Sequence, residues 1–239
     1  MSEARTQILT SIRRSLKRDV ATPEQTAGVE NRLKDHARNL VPERSRLSHS
    51  DRVDLFVSMA TEVAATVERL PNLSRVPHAV ADYLASQNLP AEVKVAPDQQ
   101  LASIPWNKRP TLTVDHGRAA DRDLTSVTGA FAAIAETGTL MMLSGPEHPT
   151  TLNLMPDTHI VVLRADQVVG SYEDGWDAVR RRDKGMPRTV NFITGPSRTG
   201  DIEQTLQLGA HGPRRLHILL IDGAGVGTTR RRVTRSLDD

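Results

Sequence analysis

The sequence has no cysteine among its 239 residues. That removes disulfides, thiolate nucleophiles and cysteine-ligated iron–sulfur clusters from anything this chain does by itself. Aromatic residues make up only 3%. The core must therefore come from Val, Ile, Leu, Ala and Met, and there is little to stack on nucleic-acid bases. No run approaches the roughly 18 apolar residues of a membrane span. The opening stretch MSEARTQILTSIRRSLKR has no apolar core followed by a small-residue cleavage site, so it does not read as a secretory signal. The expected location is the cytoplasm.

Charge of one sign is also missing. Lys plus Arg is 31 against 29 for Asp plus Glu, leaving a net +2. The basic residues are clustered, in Arg13–Arg18, in Arg180–Arg188 and in Arg230–Arg235. Such runs attract phosphate or an acidic partner, but near-cancelled charge favours solvated faces and tails, and no nucleic-acid partner is expected. The 8 histidines show no zinc spacing. Neither a G-x-S-x-G elbow nor a Walker loop occurs, so the chain lacks the anchors of serine hydrolysis and P-loop chemistry.

What is present reads as α/β. Ile8, Leu9, Ile12 and Leu16 share one face of a helix over Ser2–Arg18. Residues 19–50 read as a polar linker with a short helix at Asn31–Asn39. Val53, Leu55, Phe56, Met59, Val63, Val67 and Leu70 keep a helical period that Pro71 ends, with Ser50 or Asp51 as cap. A second helix is expected over His78–Asn88. Strands are expected at Glu92–Ala96, Thr111–Asp115, Thr139–Leu143, His159–Arg164, Thr189–Thr194 and Leu216–Asp222. The later runs are continuously apolar, as in a parallel sheet covered on both faces. Helices are expected at Gly175–Arg182 and Asp201–Leu208. The division is a helical arm and linker (1–48), an α/β domain (49–222) and a flexible basic tail (223–239). Gly223–Gly227 follows a strand but lacks the helix and sheet that a dinucleotide loop needs.

Two Thr/Gly turns are the candidate site. In the first, Ala135–Thr139, Gly138 can take left-handed angles, and Thr137, Thr139 and the backbone amides can face an anion. Glu136 is its single carboxylate. A base, a nucleophile or a partner for a cation are open to it, and so is a structural role capping a turn. In the second turn, Thr194, Gly195, Ser197, Arg198 and Thr199 are expected to lead a strand into a helix whose N-terminus attracts anions.

The runs AIAETGTLMML, PTTLNLMPDTHIVVLRADQVV and NFITGPSRTGDIEQTLQLGAHGPRRLHILLID together resemble the lactate-utilisation protein C family, the LUD domain, closely over Val127–Asp222. The resemblance implies a mostly parallel α/β fold like that of glucosamine-phosphate deaminase, ribose-phosphate isomerase and CoA-transferases. It also implies a non-redox part in oxidising L-lactate to pyruvate, beside companion proteins that carry the iron–sulfur clusters. No cofactor is expected in this chain itself. In related CoA-transferases the nucleophile is a Glu in a Glu-Asn-Gly turn; Glu136-Thr137-Gly138 is similar, with Thr in place of Asn. A stand-alone enzyme on a sugar phosphate or acyl-CoA, and an assembly module without catalysis, remain as alternatives. Self-association also stays open.

Overall fold

The computed structural model describes residues 3–17, 20–199 and 207–223. Its elements in chain order are α1 (Glu3–Ser15), α2 (Pro23–Asp35), α3 (His49–Glu62), β1 (Thr66–Leu70), α4 (Val76–Ser86), β2 (Glu92–Val95), α5 (Gln99–Ala102), β3 (Thr113–His116), β4 (Thr125–Gly129), β5 (Ala132–Ile134), β6 (Thr139–Leu143), α6 (Thr151–Leu154), β7 (Thr158–Arg164), β8 (Val168–Val169), α7 (Tyr172–Arg180), β9 (Val190–Ile193), β10 (Arg198–Thr199), β11 (Gln207–Leu208) and β12 (Arg215–Ile221).

The chain divides into two compact units, Met1–Leu40 and Val41–Asp239. The first holds α1 and α2, neither with a buried residue. The linker helix starts earlier than Asn31, at Pro23. Thr22 accepts the Gln25 N–H, Gln25 returns a bond to Thr22, and proline stands at the first turn. That capping box fixes the start.

The second unit is built on a six-stranded, wholly parallel sheet in the order β1-β12-β7-β4-β2-β3. β7 and β12 are interior strands, paired on both sides and covered on both faces, which explains their unbroken apolar runs. A second, four-stranded sheet runs β8-β5-β6-β9, with β6 antiparallel to both β5 and β9. Thr139–Leu143 and Thr189–Thr194, read as strands of one parallel sheet, thus belong to this separate mixed sheet. One face of the large sheet packs on α4 and α5 through Val80, Leu84, Leu101, Ile160 and Leu219. The other packs on α3 and the second sheet through Phe56, Leu140, Val161 and Ile218. Val179 of α7 closes the outer side against Met141 and Leu143. Each such buried aliphatic side chain contributes about 1.5–3 kcal/mol.

The largest correction concerns Val63–Leu70. α3 ends at Glu62, Ala64 turns the chain at φ 66°, and Thr66–Leu70 is strand β1, pairing in parallel with β12. Spacing at Val63, Val67 and Leu70 suits a helix, but the parallel ladder satisfies the backbone and seats Leu70 in the core. Ser48 caps α3, two to three residues ahead of Ser50 and Asp51, the residues expected to do so. Of the expected helix Asp201–Leu208, residues 201–206 lie outside the described residues, and Gln207–Leu208 is a strand paired antiparallel with Arg198–Thr199. The tail beyond Gly223 also lies outside them. No helix among the described residues is long and apolar enough to cross a membrane.

Candidate functional site

The two Thr/Gly turns come together. Thr139 Oγ1 lies 2.7 Å from Thr194 Oγ1, 2.7 Å from Thr137 Oγ1 and 3.0 Å from the Tyr172 hydroxyl. Thr137 donates to that same hydroxyl at 3.2 Å. Four hydroxyls carry four protons and make four contacts. With Thr137 donating to Tyr172, the remaining bonds run from Tyr172 and Thr194 to Thr139 and from Thr139 to Thr137. Every proton then has an acceptor inside the cluster.

Both glycines serve close packing. Gly138 (φ 65°) lies so near α3 that a Cβ would fall 2.3 Å from the Ala60 nitrogen. At Gly195 (φ 72°) a Cβ would fall 2.2 Å from the Val63 carbonyl oxygen. Glu136 is buried, and its Oε1 accepts the backbone N–H of Tyr172 at 3.0 Å. Its carboxylate thus sits at the positive end of α7, where a negative charge is stabilised. Of the roles open to Glu136, the structural one is engaged in this geometry.

Glu136 and Arg198 do not share a cavity. Thr194, Gly195, Ser197 and Arg198 border a cavity of about 430 Å³, and Glu136 is not among its walls. Arg198 donates Nη2 to the Val63 carbonyl at 2.8 Å. Ser197 is held through its N–H to Pro213 O (2.8 Å) and its carbonyl to the Gly209 N–H (3.0 Å). Thr199 ends the two-residue strand that Arg198 begins, where a helix start was expected. His159, on another wall of this cavity, is wholly buried; its Nε2 lies 2.7 Å from Thr128 Oγ1, and Nδ1 has no hydrogen-bond partner among the described residues.

A larger cleft, about 720 Å³, lies elsewhere. Strands β2 and β4 are neighbours in the sheet, but the chain leaves β2 for β3 on one side and β4 for β7 on the other. Such a reversal opens a crevice beyond the carboxyl ends of the strands, which is where open α/β sheets bind ligands. Asp98, just after β2, and Thr128–Phe131, at the end of β4, border the cleft, as do Glu147, His148, Arg182 and Lys184.

Local structure fixes the polar groups here. Asp98 caps α5, accepting the Gln100 N–H at 2.6 Å through Oδ1. Its Oδ2 lies 3.4 Å from His148 Nδ1. Gly129 makes room for it, since a Cβ there would stand 3.0 Å from Oδ2. His148 ends a tight turn in which Gly145 and His148 exchange both backbone bonds, at 3.1 and 3.3 Å. Arg182 follows α7; its guanidinium carbon lies 5.6 Å from the Phe131 ring centre. Its buried Nη1 has no hydrogen-bond partner among the described residues. No cluster of three or more metal-ligating side chains occurs among those residues.

Sequence reading missed this cleft. Its groups come from residues 98, 147–148 and 182–184, and only strand order brings them together. Arg182 had been placed in a solvated basic run.

The family profile of the LUD domain matches residues 53–221. An uncharacterized protein of Neisseria meningitidis serogroup B is 44% identical over 94 residues, 39% of this chain and 40% of that protein. Lactate utilization protein C of Deinococcus radiodurans is 39% identical over 103 residues, 42% of this chain and 48% of that protein. The matched segments thus span half or less of these relatives. A solved structure of a DUF162 family protein from Deinococcus radiodurans is similar with a TM-score of 0.55 and 25% identity, over 74% of this chain and 99% of that one. A profile match running from α3 to the end of β12, with these relatives and this solved fold beside it, establishes that the chain belongs to the LUD domain family.

Proposed function

We propose that this chain serves lactate utilisation as a non-redox component that binds an anionic small molecule in the cleft between β2 and β4. Relatives named lactate utilization protein C support the pathway. The observation that carries the binding reading is Arg182: a guanidinium on the wall of a switch-point cleft, whose buried Nη1 has no hydrogen-bond partner among the described residues. A buried donor without an acceptor costs about 1–3 kcal/mol, which a ligand carboxylate recovers.

The charge balance of the cleft favours a monocarboxylate over a phosphate ester. Arg182 and Lys184 are offset by Asp98 and Glu147. A phosphate dianion would face both carboxylates. A three-carbon acid fills only part of about 720 Å³, leaving space for a second reactant beside it. With no cysteine in the chain, electrons from lactate pass through iron–sulfur companion proteins in this reading. The cavity bordered by Thr194, Ser197 and Arg198 is the second place for an anion, since it too holds a guanidinium.

The test is lactate-dependent dye reduction by the iron–sulfur companions with the parent chain, with Arg182→Met, with Arg198→Met, and with no chain added. The expectation is full activity with the parent and a loss of tenfold or more with Arg182→Met. Equal activity without the chain overturns the lactate role. A loss confined to Arg198→Met moves the site to the smaller cavity.

A further inference from the structure

We propose that α1 docks on an anionic lipid surface, lying along the headgroups with its aliphatic stripe turned into the bilayer. The helix belongs to the Met1–Leu40 unit and lies outside the residues that the family profile matches.

Ile8 and Ile12 are four residues apart and Leu16 is four further on, so they line up along one face, with Leu9 beside them. The Leu16 N–H still bonds to the Ile12 carbonyl at 2.9 Å, which carries the stripe through the last turn. Ile8 is 60% exposed, Leu9 37%, Ile12 48% and Leu16 59%, and no residue of α1 is buried. An isolated helix of 13 residues is marginal in water, so α1 draws its stability from whatever lies on that face.

Charge identifies what lies there. Arg13 flanks the stripe, Arg14 stands opposite it and Lys17 follows in the next turn, while Glu3 is the single acid and sits at the helix start. A short helix with an aliphatic face and a cationic back complements anionic headgroups. Arg5 decides between lipid and protein. It precedes Ile8 by three residues, Leu9 by four and Ile12 by seven, which puts it on the stripe itself. In a protein seam its guanidinium would be buried among aliphatic side chains. At a bilayer surface, a long side chain at the helix end reaches back to the phosphates while its stem stays in the apolar layer. A seam with a second copy is also too short, since 13 residues make a helix only about 20 Å long and a stable interface needs roughly 1,200 Å². α2 offers no rival face: Val29 and Leu33 are its large apolar side chains, and Glu24, Glu30 and Asp35 would meet an anionic surface unfavourably.

Co-sedimentation of the full chain with vesicles tests this, using phosphatidylcholine alone and equal parts phosphatidylcholine and phosphatidylglycerol. The expected result is binding at least tenfold tighter to the mixed vesicles. Ile8→Ser combined with Ile12→Ser weakens that binding at least tenfold, and Arg13→Gln combined with Arg14→Gln at least threefold. Each double variant keeps the parent's thermal transition, because α1 places no residue in a core. Without lipid, the parent and the double serine variant sediment alike.

Equal binding to the two kinds of vesicle, or binding to neither, overturns the proposal. Binding undiminished by the two serines also overturns it and moves the lipid contact elsewhere in the chain. A parent dimer that the two serines dissociate gives the stripe to a second copy and overturns it as well.

Discussion

Thr139 and Thr194 are 55 residues apart in sequence, and their hydroxyl oxygens lie 2.7 Å apart, joining the two turns across β6 and β9. Thr139 is completely buried and is the hub of the hydroxyl cluster, whereas Thr194 is exposed at its rim. Thr139→Val is expected to strand three partners and cost about 1–3 kcal/mol. Thr194→Val is expected to cost less than about 1 kcal/mol, because water replaces its one bond. Urea unfolding of both single variants and the double variant measures the coupling between them, expected at about 0.5–1 kcal/mol. Additive losses would show that the turns are merely adjacent.

The glycines of these turns should respond differently from a glycine of the same conformation in open space. Gly138 and Gly195 both have positive φ and both meet backbone of α3 or the residue after it. Gly185 has φ 64° with nothing among the described residues within 4 Å of the added carbon. Gly185→Ala should cost only the left-handed penalty, about 1–2 kcal/mol. Gly138→Ala and Gly195→Ala add overpacking and should reach about 3 kcal/mol or more. Chemical denaturation of the three variants side by side separates conformational from steric cost.

The parts of this fold that announce themselves are the ones whose burial is apolar on both sides. β7 and β12 are legible because THIVVLR and RLHILLI are interior strands of the large sheet with apolar cover on both faces. β4 is not, because TSVTG is small and mostly polar although every one of its residues is buried. Its hydroxyls are spent on specific partners: Ser126 donates to Leu152 O at 2.6 Å, and Thr128 contacts His159. β1 was hidden by a spacing that fits a helix as well as it fits an edge strand. Local chemistry revealed both Thr/Gly turns, since glycine and threonine leave a signature in the sequence. The cleft left none, because which strands are neighbours decides that Asp98 meets His148, and pairing order is a long-range property.

Glu136 gives a prediction that separates a structural carboxylate from a reacting one. Its Oε1 holds the first backbone N–H of α7. Glu136→Gln keeps a carbonyl oxygen for that bond and should cost less than about 1 kcal/mol, the loss of charge at the helix end. Glu136→Ala leaves the N–H without its acceptor and should cost about 1–3 kcal/mol. Lactate-dependent dye reduction should survive in Glu136→Gln, because the residue borders neither cavity. Loss of that activity with unchanged stability would return Glu136 to the bond-making role its turn brings to mind.

Stability should fall on acidification through two buried histidines. Burial pushes His159 from its ordinary 6.5 down to about 3. Burial also pushes His217 down to about 4, partly countered by its hydrogen bond to Thr66. His217 lies under Tyr83, with ring centres 3.9 Å apart. Both rings are neutral in the fold and protonate freely once unfolded. The unfolded chain therefore binds more protons below about pH 6.5, and stability rises with pH in that window. It is fully present above 6.5 and is lost as pH falls towards 4 for His217 and 3 for His159. Each histidine contributes a slope of up to about 1.4 kcal/mol per pH unit. Urea midpoints taken from pH 7 to pH 4 should drop steeply in the parent and less steeply in His159→Gln, whose amide keeps a partner for Thr128 but does not titrate. The same slope in both proteins would mean that His159 is charged in the fold or that its protonation is not what opens it.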